Sequence, residues 1–260
     1  MEKIRFSQIS MLSPDNVDMT KISPPKEEVE RKAVKEYTSD PIKDINDIER
    51  IRDYLLNNER YRDNLLFIMG INFGLRISDL KTLKLGELIN DEGMFRKEII
   101  LQERKTSKTK KRPVNRHIYI NKAVREAVCL YVNNNSRQIS LSDYLFKSQS
   151  HNGYNVNRPI STEWANKILH DICNELNLNI RFSTHSLRKT FGYHQMRLAN
   201  NDPRMLLLLQ RIFNHSTPQQ TLTYIGFTDD EIQDCYENLN LGLINGQGEF
   251  KEEMAYREII

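Results

Sequence analysis

Between Pro41 and Gly226 the apolar residues of this chain recur every three or four positions in one segment after another, and that period dictates a body built from helices. Ile45, Ile48, Ile51 and Leu55 form one stripe, and Leu65, Leu66, Ile68, Met69 and Phe73 form a second that ends at Gly74, a helix stop signal. Further helical patterns cover residues 121 to 133, 161 to 177, 184 to 200, 203 to 213 and 218 to 226. Two of their starts are explicit. Asp202 precedes Pro203 and Thr217 precedes Pro218, so each places a capping side chain just ahead of a proline at the first helical position. Only Phe95 to Leu101 and Val114 to Ile120 read as strands, the second with Val114, Ile118 and Ile120 on one parity. The expected fold class is therefore mainly α with one small antiparallel β-hairpin.

The chain has 260 residues, enough for one large domain and an appendage. Residues 1–40 carry Pro14, Pro24 and Pro25 and a single charged helical stretch, KEEVERKAVKEY, and read as an arm or linker with one helix. Residues 41–228 form the body, and 229–260 a tail that passes through the glycine-rich LGLINGQGEF. The longest purely apolar run, Met205 to Leu209, is far shorter than the roughly 20 residues a membrane span requires. The opening MEKIRFSQIS has no signal-peptide core, so a cytoplasmic location without membrane association is expected. Cys129, Cys173 and Cys235 are odd in number and widely spaced, which argues against a disulfide framework or a thiolate metal site and for buried reduced thiols.

Charge is unevenly placed. The net charge of the chain is +3, but Thr228 to Ile260 holds nine acids against Lys251 and Arg257, a net of −7 that leaves +10 for the rest. Within that remainder, Arg96 to Arg116 holds nine bases and two acids. A basic loop between two strands suits a polyanion, although a solvated loop without a partner has the same composition.

Four stretches carry chemistry: GLRISDL at 74–80, the loop holding Lys105 and Lys108, THSLRKT at 184–190 and NHSTPQQTLTY at 214–224. Arg76 follows a glycine turn and precedes a helix start expected at Ser78, where a guanidinium and backbone N–H groups jointly receive a phosphate. His185 and Arg188 stand three apart in a first helical turn and so project from one face. His215 lies just before a helix that carries Tyr224 about two turns in. Each feature alone has an ordinary structural explanation. Together, two arginines, a lysine, two histidines and a tyrosine suffice to attack a phosphodiester without a metal or cofactor. A phenol of pKa about 10 is roughly 0.1% ionised at pH 7 and needs a neighbour to take its proton. Two guanidiniums stabilise the charge that builds on the non-bridging oxygens. An ammonium of pKa about 10.4 is charged at pH 7 and can protonate the leaving oxygen. None of the six histidines sits in an HExxH motif or beside a carboxylate cluster, so no metal site is expected.

In this order the motifs resemble those of the tyrosine recombinases, or phage-type integrases, over residues 41 to 228. The resemblance implies the catalytic-domain fold of that family and a site-specific recombinase that cuts and rejoins DNA strands through a 3′-phosphotyrosyl bond, for integration or excision of a mobile element. It makes Arg76 and Arg188 the phosphate-binding arginines, His185 and His215 the two histidines and Tyr224 the nucleophile. Lys105 becomes the hairpin lysine, chosen over Lys108 because it sits where the first strand should end, and Asp79 matches an acidic residue that helps order the site. Lys108, Lys110, Lys111 and Arg112 would then contact double-stranded DNA, with steep salt dependence. The family also implies a homotetramer on two DNA sites, a monomer being compatible with the DNA-free state, with the acidic tail packing on a neighbouring protomer. Residues 1–40 are too few for the helical core-binding domain most members carry. Two other classes fit the same residues: a DNA-binding accessory protein with the recombinase fold, and a topoisomerase-like enzyme that nicks and reseals one duplex.

Overall fold

The computed structural model of the chain describes residues 39–102, 115–135, 139–148 and 157–226. Within them the chain runs through α1 (Ile45–Asn57), α2 (Tyr61–Phe73), α3 (Ile77–Leu80), β1 (Glu98–Gln102), β2 (Asn115–Tyr119), α4 (Lys122–Asn133), α5 (Thr162–Glu175), α6 (Thr184–Leu198), α7 (Pro203–Phe213) and α8 (Pro218–Ile225), with a 3-10 turn at Leu85–Glu87. It is mostly helical with one antiparallel strand pair, as the apolar period requires. The expected N-terminal helix, the basic loop with Lys105, Lys108, Lys110, Lys111 and Arg112, Cys235 and the acidic tail lie outside the described residues.

Local chemistry sets the helix starts. Asp202 accepts a hydrogen bond from the Arg204 N–H and Thr217 accepts one from the Gln220 N–H, so both proline-marked starts are capped as expected. Asp44, Asn121, Ser161 and Ser183 do the same for α1, α4, α5 and α6. The hairpin pairs Ile99 with Ile118 and Ile100 with His117. Ile99 and Ile118 face the core, whereas Ile100 and Tyr119 face outward. Its first strand begins later than the sequence suggests because Phe95 and Arg96 pair elsewhere: Phe95 bridges Ile89, and Arg96 N–H donates to Leu88 O at 2.8 Å.

Helix α2 is buried nearly all round, from Asp63 to Gly70 and again at Phe73, and α1, α4 and α6 pack on it. Its polar residue Asp63 is held by Arg60 and Arg62, both at 2.9 Å. This main core extends over α5 and the hairpin. A second, smaller core joins Met196 of α6 to Leu209 and Phe213 of α7 and Ile225 of α8. Gly192 makes that junction close: a Cβ there would stand 2.5 Å from Ile225 Cγ2 and 2.8 Å from Phe213 Cε2. Helices α7 and α8 therefore rest on bare backbone of α6.

The segment leading into α1 lies along α6 as well. Ile42 N–H donates to Thr190 Oγ1 at 2.8 Å, His194 Nε2–H donates to Ile42 O at 2.9 Å, and Arg181 pairs with Asp40 through two guanidinium nitrogens. The chain leaves α8 beside this segment, since a Cβ on Gly226 would lie 3.1 Å from Pro41 Cγ.

The cysteines correct one expectation. Cys173 is buried and its thiol donates to Ile180 O at 3.3 Å, but Cys129 is exposed. The buried stripe of α4 runs through Val124, Ala127, Val128 and Tyr131, and position 129 falls on the other face. No helix among the described residues is long and apolar enough to cross a membrane.

Candidate active site

Three chain turns converge at the junction of the two cores. The first follows α2, where Gly74 takes the left-handed conformation at φ 55° and turns its carbonyl toward α6. Arg76 then caps α3, its carbonyl accepting the N–H groups of Asp79 and Leu80, both at 2.9 Å. The turn thus begins at Ile77, one residue before the expected Ser78, and Asp79 is fully buried within it.

The second turn is the end of α7. Phe213 is its last residue, and its carbonyl belongs to the final four that have no partner inside a helix, at the end where the helix dipole is negative. Two guanidiniums meet that oxygen. Arg188 Nη2 donates to it at 3.0 Å and Arg76 Nη2 at 3.2 Å, while Arg188 Nη1 donates to Gly74 O at 2.7 Å. Arg188 also lies over the Phe213 ring, with Cζ 4.5 Å from the centroid, and is only 2% exposed. Two arginines from separate helices are thereby aimed at one oxygen, an arrangement that suits an anionic oxygen better than a neutral carbonyl.

The third turn links α7 to α8. Asn214 adopts the left-handed conformation, and His215 N–H returns to Gln210 O at 3.0 Å. Gln210 Nε2 donates to Ser216 O at 3.2 Å, and Ser216 N–H donates to Gln220 Oε1 at 3.0 Å, which fixes the loop. His215 is thus set against Tyr224, their ring centroids 5.0 Å apart, with Phe213 5.5 Å from Tyr224 and 5.4 Å from His215. The Arg188 and Arg76 guanidiniums both act on the Tyr224 phenol. His215 Nδ1 and Thr221 Oγ1 are 3.1 Å apart.

These surroundings set the charges. Burial, then Arg188, then Arg76 push His215 down to about 4, so its ring is neutral at pH 7. Burial raises Tyr224 above the ordinary phenol value, against the opposing pull of both guanidiniums, so the phenol keeps its proton in the free protein. The set can hold an anionic oxygen on two guanidiniums beside a protonated tyrosine and an uncharged imidazole.

Of the residues expected from the sequence, Arg76, Arg188, His215 and Tyr224 are brought together, with Asp79 one turn from Arg76. His185 sits in the first turn of α6, exposed, its N–H on Ser183 Oγ at 3.2 Å. Lys105, Lys108, Lys110, Lys111 and Arg112 fall between β1 and β2, outside the described residues.

Three contributors escaped sequence reasoning. The Phe213 carbonyl is backbone and has no signature. Thr221 lies one turn before Tyr224, wholly buried, within a stretch singled out for other residues. Lys189 follows Arg188 directly, with its Nζ 5.4 Å over the Tyr224 ring and donating to Ser39 O. Burial is the main cause that depresses the Lys189 ammonium, with Asp40 opposing it.

Known proteins share this architecture. The family model described as the phage integrase family matches residues 39–231. The chain is 34% identical over 197 residues to a probable integrase/recombinase of Bacillus subtilis (strain 168), YoeC, an alignment covering 76% of this chain and 94% of that protein. Among solved structures, XerA recombinase superposes with a TM-score of 0.54 at 18% identity, covering 75% of this chain and 63% of XerA. XerH recombinase, in a post-cleavage complex with a palindromic difH substrate, gives 0.55 at 15% identity, covering 75% of this chain and 51% of XerH. The Tn1549 transposon integrase in complex with a circular intermediate DNA gives 0.52 at 22%, covering 76% of this chain and 65% of that one.

Proposed function

The chain belongs to the phage integrase family, the tyrosine-type site-specific recombinases, and we propose that it cuts and rejoins double-stranded DNA with Tyr224 as nucleophile. The observation that carries this reading is the convergence of Arg76 and Arg188 on one oxygen, the Phe213 carbonyl, with the Tyr224 ring packed against Phe213 and His215 beside it. A scissile phosphate oxygen replaces that carbonyl as the better acceptor for both forks. Tyr224 Oη attacks phosphorus, the bond to the 5′ oxygen breaks, and a 3′-phosphotyrosyl linkage forms. The developing charge on the non-bridging oxygens is stabilised by the two guanidiniums. His215 and His185 handle the phenol proton and the phosphate, Asp79 supports the Arg76 turn, and Lys105 delivers a proton to the leaving 5′ oxygen. Bond energy is conserved in the linkage, so the reversal needs no nucleotide.

Lys108, Lys110, Lys111 and Arg112 contact the DNA backbone, and exchange takes place in a homotetramer on two DNA sites, with residues 229–260 packing on a neighbouring protomer. Integration or excision of a mobile element is the outcome we favour. The test is covalent trapping on nicked suicide duplexes built from the DNA that flanks the coding sequence. Native protein should give a slow-migrating adduct on denaturing gels and Tyr224→Phe none. An adduct that persists in Tyr224→Phe moves the nucleophile elsewhere, and DNA binding without any adduct returns the chain to the binding-protein class.

A further inference from the structure

His215 has two ring nitrogens, and which of them carries the proton decides whether the ring can take the Tyr224 proton or only donate to a phosphate. Among the described residues, one neighbour of the ring nitrogens settles this. Thr221 is 0% exposed, and its Oγ1 stands 3.1 Å from His215 Nδ1. The same hydroxyl lies 3.5 Å from the Thr217 carbonyl one turn back, the acceptor that a helical threonine ordinarily chooses for its single proton. With its proton turned to Thr217, the oxygen offers a lone pair to His215, and the ring hydrogen must sit on Nδ1. The groups facing His215 from neighbouring elements favour the same choice. Arg188 of α6 and Arg76 at the start of α3 are cationic, and Tyr224 of α8 is a protonated phenol with Lys189 over its ring. Those positive charges disfavour a second ring proton, so the nitrogen opposite Thr221 keeps its lone pair.

We propose that Thr221 is a positioning residue that locks His215 in the Nδ1–H tautomer, so that Nε2 presents the lone pair that accepts the proton of Tyr224 Oη as it attacks phosphorus. The step balances: the Oη–H proton passes to Nε2, Oη bonds to phosphorus, and the 5′ oxygen leaves with a proton from another donor. An imidazolium results, whose Nδ1–H remains on Thr221. Neutrality of the ring before attack, already enforced by burial and the two guanidiniums, is what makes Nε2 available. The assignment rests on the phosphotyrosyl reading for its role but not for its geometry, which allows the two to be tested apart.

The experiment uses the full chain labelled with 15N-histidine, the His215 signals identified by their loss in His215→Gln. Long-range 1H–15N correlation spectra distinguish a protonated Nδ1 from a protonated Nε2 directly. The native ring should show a protonated Nδ1, and Thr221→Val should lose that preference while Thr221→Ser restores it. In parallel, Thr221→Val should slow single-turnover adduct formation by about 10- to 100-fold, as loss of a histidine's orienting partner does elsewhere, with DNA affinity unchanged and Thr221→Ser recovering most of the rate. A native His215 protonated on Nε2, or a Thr221→Val protein with the native spectrum and native rate, overturns the proposal. A spectrum as expected in a native protein that forms no adduct upholds the tautomer lock and overturns the phosphotyrosyl reading instead.

Discussion

Replacing Gly192 by alanine tests whether α7 and α8 are placed by their closeness to α6. In a helix interior alanine is favoured over glycine by about 1 kcal/mol, so propensity alone predicts a more stable protein. Packing opposes it. The new methyl would meet Ile225 Cγ2 at 2.5 Å and Phe213 Cε2 at 2.8 Å, which is 0.9 and 0.6 Å inside the 3.4 Å where ordinary contact begins. Both neighbours are 0% exposed and have no free space to enter. Overpacking of this kind costs about 1–3 kcal/mol, and two blocked neighbours put the value in the upper half of that range. The net expectation is a loss of about 1–2 kcal/mol, or roughly 2–8 °C in Tm for a chain of this size. The effect on chemistry should exceed the effect on stability, because Phe213 carries the oxygen on which both arginines converge and Ile225 adjoins Tyr224. A displacement of about 1 Å there can slow the chemical step about 100-fold. Thermal melting by circular dichroism, with single-turnover adduct formation well below the melting range, reads both quantities. A Gly192→Ala protein that is about 1 kcal/mol more stable and fully active would show that α7 and α8 yield freely and that the close approach does not place the site.

Arg188→Lys keeps the charge but cannot span Gly74 O and Phe213 O at once, so adduct formation should fall about 100- to 1,000-fold, matching the 2.7–4 kcal/mol of a lost transition-state donor; a fall of less than threefold in the same assay would refute the shared-fork geometry. The pH dependence of stability has a definite sign. Because His215 titrates near 4 in the folded chain and near 6.5 when unfolded, the folded state binds fewer protons in that window, and stability is lost as pH falls from about 6.5 toward 4. With the partly exposed ring screened by solvent, the loss should be about 1 kcal/mol. His215→Gln should flatten the slope in urea titrations between those pH values, and an unchanged slope would assign it to other groups.

Much of the fold was legible because the signals that set it are local. Asp202 and Thr217 ahead of their prolines fixed the starts of α7 and α8 to the residue, and Gly74 fixed the end of α2. The irregular stretch between α4 and α5 was not legible, since its order comes from single bridges, one of which, Lys84 with Tyr144, joins residues far apart in sequence. The site divides the same way. Residue type and order singled out Arg76, Arg188, His215 and Tyr224, which the fold brings together, whereas what orients them was not legible. The Phe213 carbonyl has no side-chain signature, Lys189 matters through Ser39, about 150 residues away, and Gly192 is informative only once Phe213 and Ile225 are known to lie against it. Cys129 was misjudged because residue type favours burial while the face of α4 decides it.

The meeting of Gly226 with Pro41 has a mechanical consequence. Residues 39 to 226 form an almost closed ring of chain, with its two open ends side by side at α8. A load applied between those ends does not stretch the main core in series. It acts first on what holds those ends to α6: the small core of Met196, Leu209, Phe213 and Ile225 on one side and the bonds of Ile42 on the other. The tyrosine is thus mounted on the element that ends at one of the loaded points, and Arg188 on the helix against which that element rests.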